Sequence, residues 1–96
     1  MKPTDYMKLL KEGINTYRSG KYDESDKVWR NLLTLNSNLD LAYSKIGMIE
    51  IRRKNYEEAM KYFELALAYD PYLEHRANLD PEMYALVNKY KQLKIN

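Results

Sequence analysis

The 96-residue chain contains no cysteine. That absence excludes a disulfide framework, a thiolate metal site and a cysteine nucleophile, and it fits a reducing, cytoplasmic setting. Histidine occurs once, as His75 between Glu74 and Arg76. A single histidine with no HExxH or Cys–His set around it makes neither a metal centre nor a catalytic constellation. Glycine and proline are scarce, three of each, which argues against a loop-rich all-β fold and for long helices. There is no glycine-rich phosphate loop, and no serine stands in a GxSxG setting. No catalytic residue, metal or cofactor is therefore expected, and the chain reads as something other than an enzyme. No stretch approaches the roughly 20 apolar residues of a membrane span. The opening residues MKPTDYMKLLKEG hold no apolar run of signal-peptide length. A large excess of one charge is missing too. Sixteen basic residues face fourteen acidic ones, a net +2, which is too little to imply nucleic acid by itself.

What the chain does contain is a period. Residues Asp40 to Leu73 read DLAYSKIGMIEIRRKNYEEAMKYFELALAYDPYL. Tyr43, Ile46 and Gly47 stand at the spacing aromatic-x2-aliphatic-Gly; Ala59 follows twelve residues after Gly47, then Phe63, Ala66 and Pro71. This order of large, small and turn residues resembles a tetratricopeptide repeat, a helix-turn-helix unit of about 34 residues. The resemblance implies that Gly47 and Ala59 let the two helices of one hairpin close up, and that Ala66 makes room for the next helix. Tyr43 and Phe63 would fill the space between them, and Pro71 would end the second helix. One position departs: Glu50 stands where the family usually has an aromatic, so looser packing is expected around it.

Sliding the sequence back by 34 places Lys11 on Lys45, Gly13 on Gly47, Arg18 on Arg52, Tyr22 on Tyr56, Glu24 on Glu58 and Leu39 on Leu73. Ser25 falls on Ala59 and Trp29 on Phe63. Tyr6 to Leu39 thus reads as an earlier, more degenerate copy, with Leu9, Glu12, Thr16 and Ser37 off pattern. Local signals agree. Thr4 or Asp5, after Pro3, is expected to cap the first helix, whose stripe is Tyr6, Leu9, Leu10, Ile14 and Tyr17. Ser19-Gly20 stops it. Asp23 and Glu24 open a second helix and Glu57 and Glu58 a fourth, where acid suits the helix dipole. Arg52-Arg53-Lys54 closes the third helix, and the simplest reading is cations complementing its C-terminus, with a phosphate-binding patch as the alternative. Lys54-Asn55 then turns the chain as Ser19-Gly20 does earlier.

The period breaks after Leu73, since Pro81 falls where a third copy would need its glycine. Asp80-Pro81-Glu82 is a helix start, and Met83, Leu86, Val87, Tyr90 and Leu93 form one apolar stripe after it. The expected organisation is one all-α domain, an α-α solenoid of antiparallel helical hairpins with about five helices. Its parts are a first repeat over about 6–39, a second over about 40–73, a linker over 74–80 and a capping helix over about 81–95.

The family resemblance also implies a function. The first helices of successive repeats line a concave groove in which ligands sit. Carried over by alignment, the groove positions are Met7, Leu10, Ile14, Tyr17 and Arg18, then Leu41, Ser44, Met48, Ile51 and Arg52. Gly13, Trp29, Tyr43, Gly47, Ala59, Phe63, Ala66 and Pro71 would be packing positions. Some members clamp the carboxylate end of a chaperone with Lys, Asn and Arg; here Leu10, Ile14 and Lys45 occupy those places, which argues against that ligand. An apolar groove needs a cover. The tail helix, a second copy of the chain, or a foreign amphipathic helix or extended peptide would each serve. The expected role is a protein-interaction adaptor or scaffold. The alternative is a helical-repeat RNA-binding module using a basic rim of Arg18, Arg52, Arg53 and Lys54. Against it, Tyr22, Tyr43, Tyr56, Tyr62 and Tyr69 fall on packing positions, and acids interleave with the bases.

Overall fold

A computed structural model describes residues 3–72 and positions 85, 88, 89, 91 and 92. Four helices follow one another: α1 (Pro3–Arg18), α2 (Tyr22–Leu35), α3 (Asp40–Arg52) and α4 (Tyr56–Tyr69). The described tail positions are helical as well, and no strand occurs among the described residues. The fold is all-α. The expected linker 74–80 with His75, and the remainder of the expected helix 81–95, lie outside the described residues.

The helices begin and end where local chemistry dictates, with one correction. Helix α1 starts at Pro3 rather than after it. Proline at the first helical position has no N–H to waste and a φ already set for the helix. Thr4 and Asp5 therefore fall inside the first turn, where Asp5 faces the positive end of the dipole. At the other end, Gly20 takes φ 77 and Lys54 takes φ 64. This left-handed backbone suits glycine and strains lysine.

The two turns are built alike, bond for bond. Ser19 N–H donates to Asn15 C=O, Gly20 N–H to Tyr17 C=O and Lys21 N–H to Thr16 C=O; Arg53, Lys54 and Asn55 donate to Ile49, Ile51 and Glu50 in the same pattern. Each donor and each acceptor is displaced by 34 residues. The helix starts obey the same shift, with Ser25 N–H on Lys21 C=O and Ala59 N–H on Asn55 C=O. So do the ends, with Asn36 N–H on Leu32 C=O and Asp70 N–H on Ala66 C=O. Beyond each end a side-chain carbonyl or carboxylate turns the chain: Asn38 N–H donates to Asn36 Oδ1 at 3.1 Å, and Tyr72 N–H to Asp70 Oδ1 at 3.2 Å. The 34-residue period of the sequence is thus also a period in backbone hydrogen bonding.

Packing follows the hairpins: α1 lies on α2, α3 on α4, and α2 joins the two pairs through α3. The interior holds Trp29, Leu32, Ile46, Ile49 and Phe63, all fully buried; burial of side chains this size contributes roughly 1.5–3 kcal/mol each. In the first hairpin the indole of Trp29 lies flat against Gly13, so that a Cβ there would sit 2.8 Å from Trp29 Cε2. The hydroxyl of Ser25 donates to Gly13 C=O at 2.9 Å and accepts from Trp29 Nε1 at 3.0 Å. Every polar atom introduced beside the tryptophan is thereby satisfied. In the second hairpin Ala59 replaces Ser25 and Phe63 replaces Trp29, both without a polar atom to satisfy. Gly47 has more room, its nearest neighbour to a built Cβ being Ala59 C=O at 3.4 Å.

Glu50 overturns an expectation. Instead of loose packing, its carboxylate is 4% exposed as a residue and closely held. Arg53 Nη1 and Asn55 Nδ2 both donate to it. Arg53 also reaches across to α2, donating to Asp23 and, at 3.4 Å, to Asp26. Asp26 in turn holds Arg30 with both oxygens at 3.0 Å. Arg53 is therefore not simply a cation at a helix C-terminus. It ties the two hairpins together through Asp23 and Asp26 while holding Glu50 on its own helix, and its pKa is raised first by Asp23 and then by Glu50 and Asp26, against the effect of burial.

Candidate functional site

The groove positions divide unequally between the two first helices. On α1, Met7 is 53% exposed, and Leu10 and Ile14 are half-buried against the edge of the core. These three keep an apolar surface open along one side of the helix. On α3, Leu41 and Ile51 are half-buried, while Ser44 and Met48 are 2% and 4% exposed. Ser44 turns its hydroxyl back on its own helix, donating to Leu41 C=O at 2.9 Å. Tyr17 is buried too. So Tyr17, Ser44 and Met48, expected to present themselves to a partner, are covered. Family position fixes the direction of a side chain but not what else lies on that side.

The cover over Tyr17 is charged. Tyr22 meets its ring edge-on at 5.3 Å. Lys45 Nζ stands 4.6 Å from the ring centroid and Arg52 Cζ 5.7 Å, with Arg52 also 4.7 Å from the Tyr22 ring. Arg52 Nε donates to the Tyr17 hydroxyl at 3.4 Å. Two cations, one turn pair apart on α3, thus converge on one tyrosine of α1. Such contacts are worth about 0.5–2 kcal/mol each depending on solvation. Arg18 follows Tyr17 directly and is exposed. Lys45 was not among the expected groove residues. Its signal was there in the seven-residue spacing to Arg52, which puts both on one helical face.

The basic rim does not assemble as a unit of four. Arg53 turns to Asp23, Asp26 and Glu50, away from Arg52, which lies on the tyrosines of α1 and α2. Lys54 sits in the turn, exposed.

Elsewhere the tyrosines of the second hairpin gather around Tyr43. Tyr43 stacks on Tyr69 with ring centroids 5.7 Å apart and on Tyr62 at 6.4 Å, and Arg30 lies 5.1 Å over Tyr62. The Tyr43 hydroxyl donates to Ser37 C=O at 2.8 Å. Burial, and then the neighbouring Tyr69 and Tyr62, push the Tyr43 phenol up from its usual pKa. Pro71 is exposed just past the end of α4. Among the described residues no cluster of three or more His, Cys, Asp or Glu could hold a metal, and no helix is long and apolar enough to cross a membrane.

Compared with known proteins, residues 40–73 match the family model described as tetratricopeptide repeat. No curated protein and no solved structure matches the chain.

Proposed function

We propose that this chain, whose residues 40–73 match the tetratricopeptide-repeat model and whose described helices form two antiparallel hairpins, is a protein-interaction module with its working surface in the groove between α1 and α3. The repeat is a non-catalytic interaction fold. The observation that carries the groove reading is the open stripe on α1: Met7 more than half exposed, with Leu10 and Ile14 beside it at helical spacing. A partner's amphipathic helix or extended peptide would bury its apolar side chains there. Arg18 and Arg52 would orient it from the rim, since rim charges set register and encounter more than affinity.

A peptide library displayed on phage tests this. Peptides selected on the intact chain should bind an Ile14→Glu variant at least about tenfold more weakly, the scale of one lost anchor. Their affinity should change little between low and moderate salt, because the contact is apolar. Undiminished binding to Ile14→Glu, with helicity retained, places the surface elsewhere. Ligands whose binding collapses with salt would favour the nucleic-acid alternative instead. Met48→Glu is not a surface test, because Met48 is already covered. Light scattering across concentrations reads the remaining occupant, a second copy of the chain.

A further inference from the structure

Tyr62, Tyr43 and Tyr69 form one stacked column. Tyr62 and Tyr69 stand seven residues apart on α4, about 10.5 Å along the helix axis, and Tyr43 of α3 lies between them. Its ring centroid is 6.4 Å from that of Tyr62 and 5.7 Å from that of Tyr69, the second pair within 10° of parallel. Its hydroxyl fastens the column to the turn after α2 by donating to Ser37 C=O. At the Tyr62 end the column already carries a guanidinium. Arg30 Cζ is 5.1 Å from the ring centroid, and Arg30 Nη1 donates to the Tyr62 hydroxyl. At the other end Tyr43 covers one face of Tyr69. The 46% of Tyr69 that stays exposed therefore belongs to its other face and its edge.

The surroundings of that face narrow what can stack on it. Antiparallel hairpins bring the ends of α2 and α4 to the same end of the molecule, and the exposed Leu35 and Tyr72 lie there with Tyr69. The sequence at this end is acidic. From Asn31 to Ser44 it has Asp40 and no Lys or Arg; from Tyr62 to Asp80 it has Glu64, Asp70, Glu74 and Asp80, with Arg76 the only Lys or Arg. Such an excess of acid repels a phosphate backbone and attracts a cation. Asp40, Glu64 and Asp70 are themselves engaged within the chain, so the seat is assigned to the ring and not to a carboxylate. The other tyrosines point the same way: Tyr17, Tyr22, Tyr56 and Tyr62 each carry a lysine or arginine over the ring.

We propose that the outer face of Tyr69 is a docking site for an arginine side chain in a basic, apolar peptide segment of a partner protein. The guanidinium is planar and extends the stack by one more layer, which the compact ammonium of lysine cannot do. Apolar residues beside that arginine pack on Leu35 and Tyr72. The site lies at the ends of α2 and α4 and not between α1 and α3, so it stands apart from the groove reading above.

Three short synthetic peptides test it, in which leucine alternates with arginine, with lysine or with glutamate. Isothermal titration should rank arginine above lysine and show no binding of the glutamate peptide. Tyr69→Leu keeps an apolar side chain but removes the ring. It should weaken the arginine peptide by about three- to thirtyfold, the span of a cation–π contact from exposed to desolvated, whereas Tyr69→Phe should bind as the native chain does. In the native complex, NMR cross-peaks should join the arginine δ protons to the Tyr69 ring. Equal affinity for any two of the peptides, full binding by Tyr69→Leu, or cross-peaks to Tyr22 or Tyr56 instead overturns the proposal. So does binding of a uridine oligonucleotide that Tyr69→Leu abolishes, which would make the column a base-stacking platform. Ile14→Glu should leave the arginine peptide bound as before, so failure here and failure of the α1 stripe are separate results.

Discussion

Gly13 and Gly47 occupy equivalent places 34 residues apart, but they face different neighbours. A methyl at Gly13 would press on a fully buried indole at 2.8 Å, and at Gly47 it would touch a carbonyl at 3.4 Å. Overpacking of a rigid core costs about 1–3 kcal/mol, whereas removing a mid-helix glycine gains roughly 0.5–1 kcal/mol. Gly13→Ala should therefore lower stability in urea by about 1–3 kcal/mol, and Gly47→Ala should be neutral within about 1 kcal/mol. Equal losses at both sites would contradict the packing described. Glu50 supports a second comparison. Glu50→Ala strips Arg53 and Asn55 of a shared acceptor but leaves Arg53 the carboxylates of Asp23 and Asp26. The expected cost is about 1–3 kcal/mol, below that of a buried charge left with no partner. A variant as stable as the native chain would remove Glu50 from the tie between hairpins.

At the scale of the element, the turns were the most legible part. Gly20 marks its own turn. Lys54 does not, and its left-handed φ is foreseeable only from the period that aligns it with Gly20. The start of α1 was misplaced because proline is as compatible with the residue before a cap as with the first helical position. The Glu50 cluster could not be read ahead. Its partners Asp23 and Asp26 lie on a separate helix, and nothing local distinguishes them from acids serving the dipole of α2. The tyrosine stack between α3 and α4 yields a pH prediction. The phenol of Tyr43 is held above its usual pKa, so the folded state favours the neutral form. The associated stability is complete below the unfolded pKa of about 10 and is lost as pH rises through the higher folded value. Unfolding midpoints in urea should fall above about pH 10, and a Tyr43→Phe variant should lose less over the same range. Identical pH profiles for the two chains would deny Tyr43 that role.

At the scale of the whole molecule, architecture was readable because one set of small and large residues recurs, and each copy specifies a hairpin. The groove was only half readable. Alignment places Met48 and Ile14 on equivalent faces, yet Ile14 stays partly open while Met48 is buried. Equivalent faces of repeated units have inequivalent surroundings once the stack has two different ends. The recurrence also bears on how the chain reaches its fold. Among the described residues, the side-chain ties between helices described above join residues about one repeat apart, as in Arg52 to Tyr17, Arg30 to Tyr62 and Arg53 to Asp23. Each loop closed during assembly is therefore short, and low contact order of this kind goes with folding in microseconds to milliseconds. Either hairpin could nucleate first, with the other zipping on behind it.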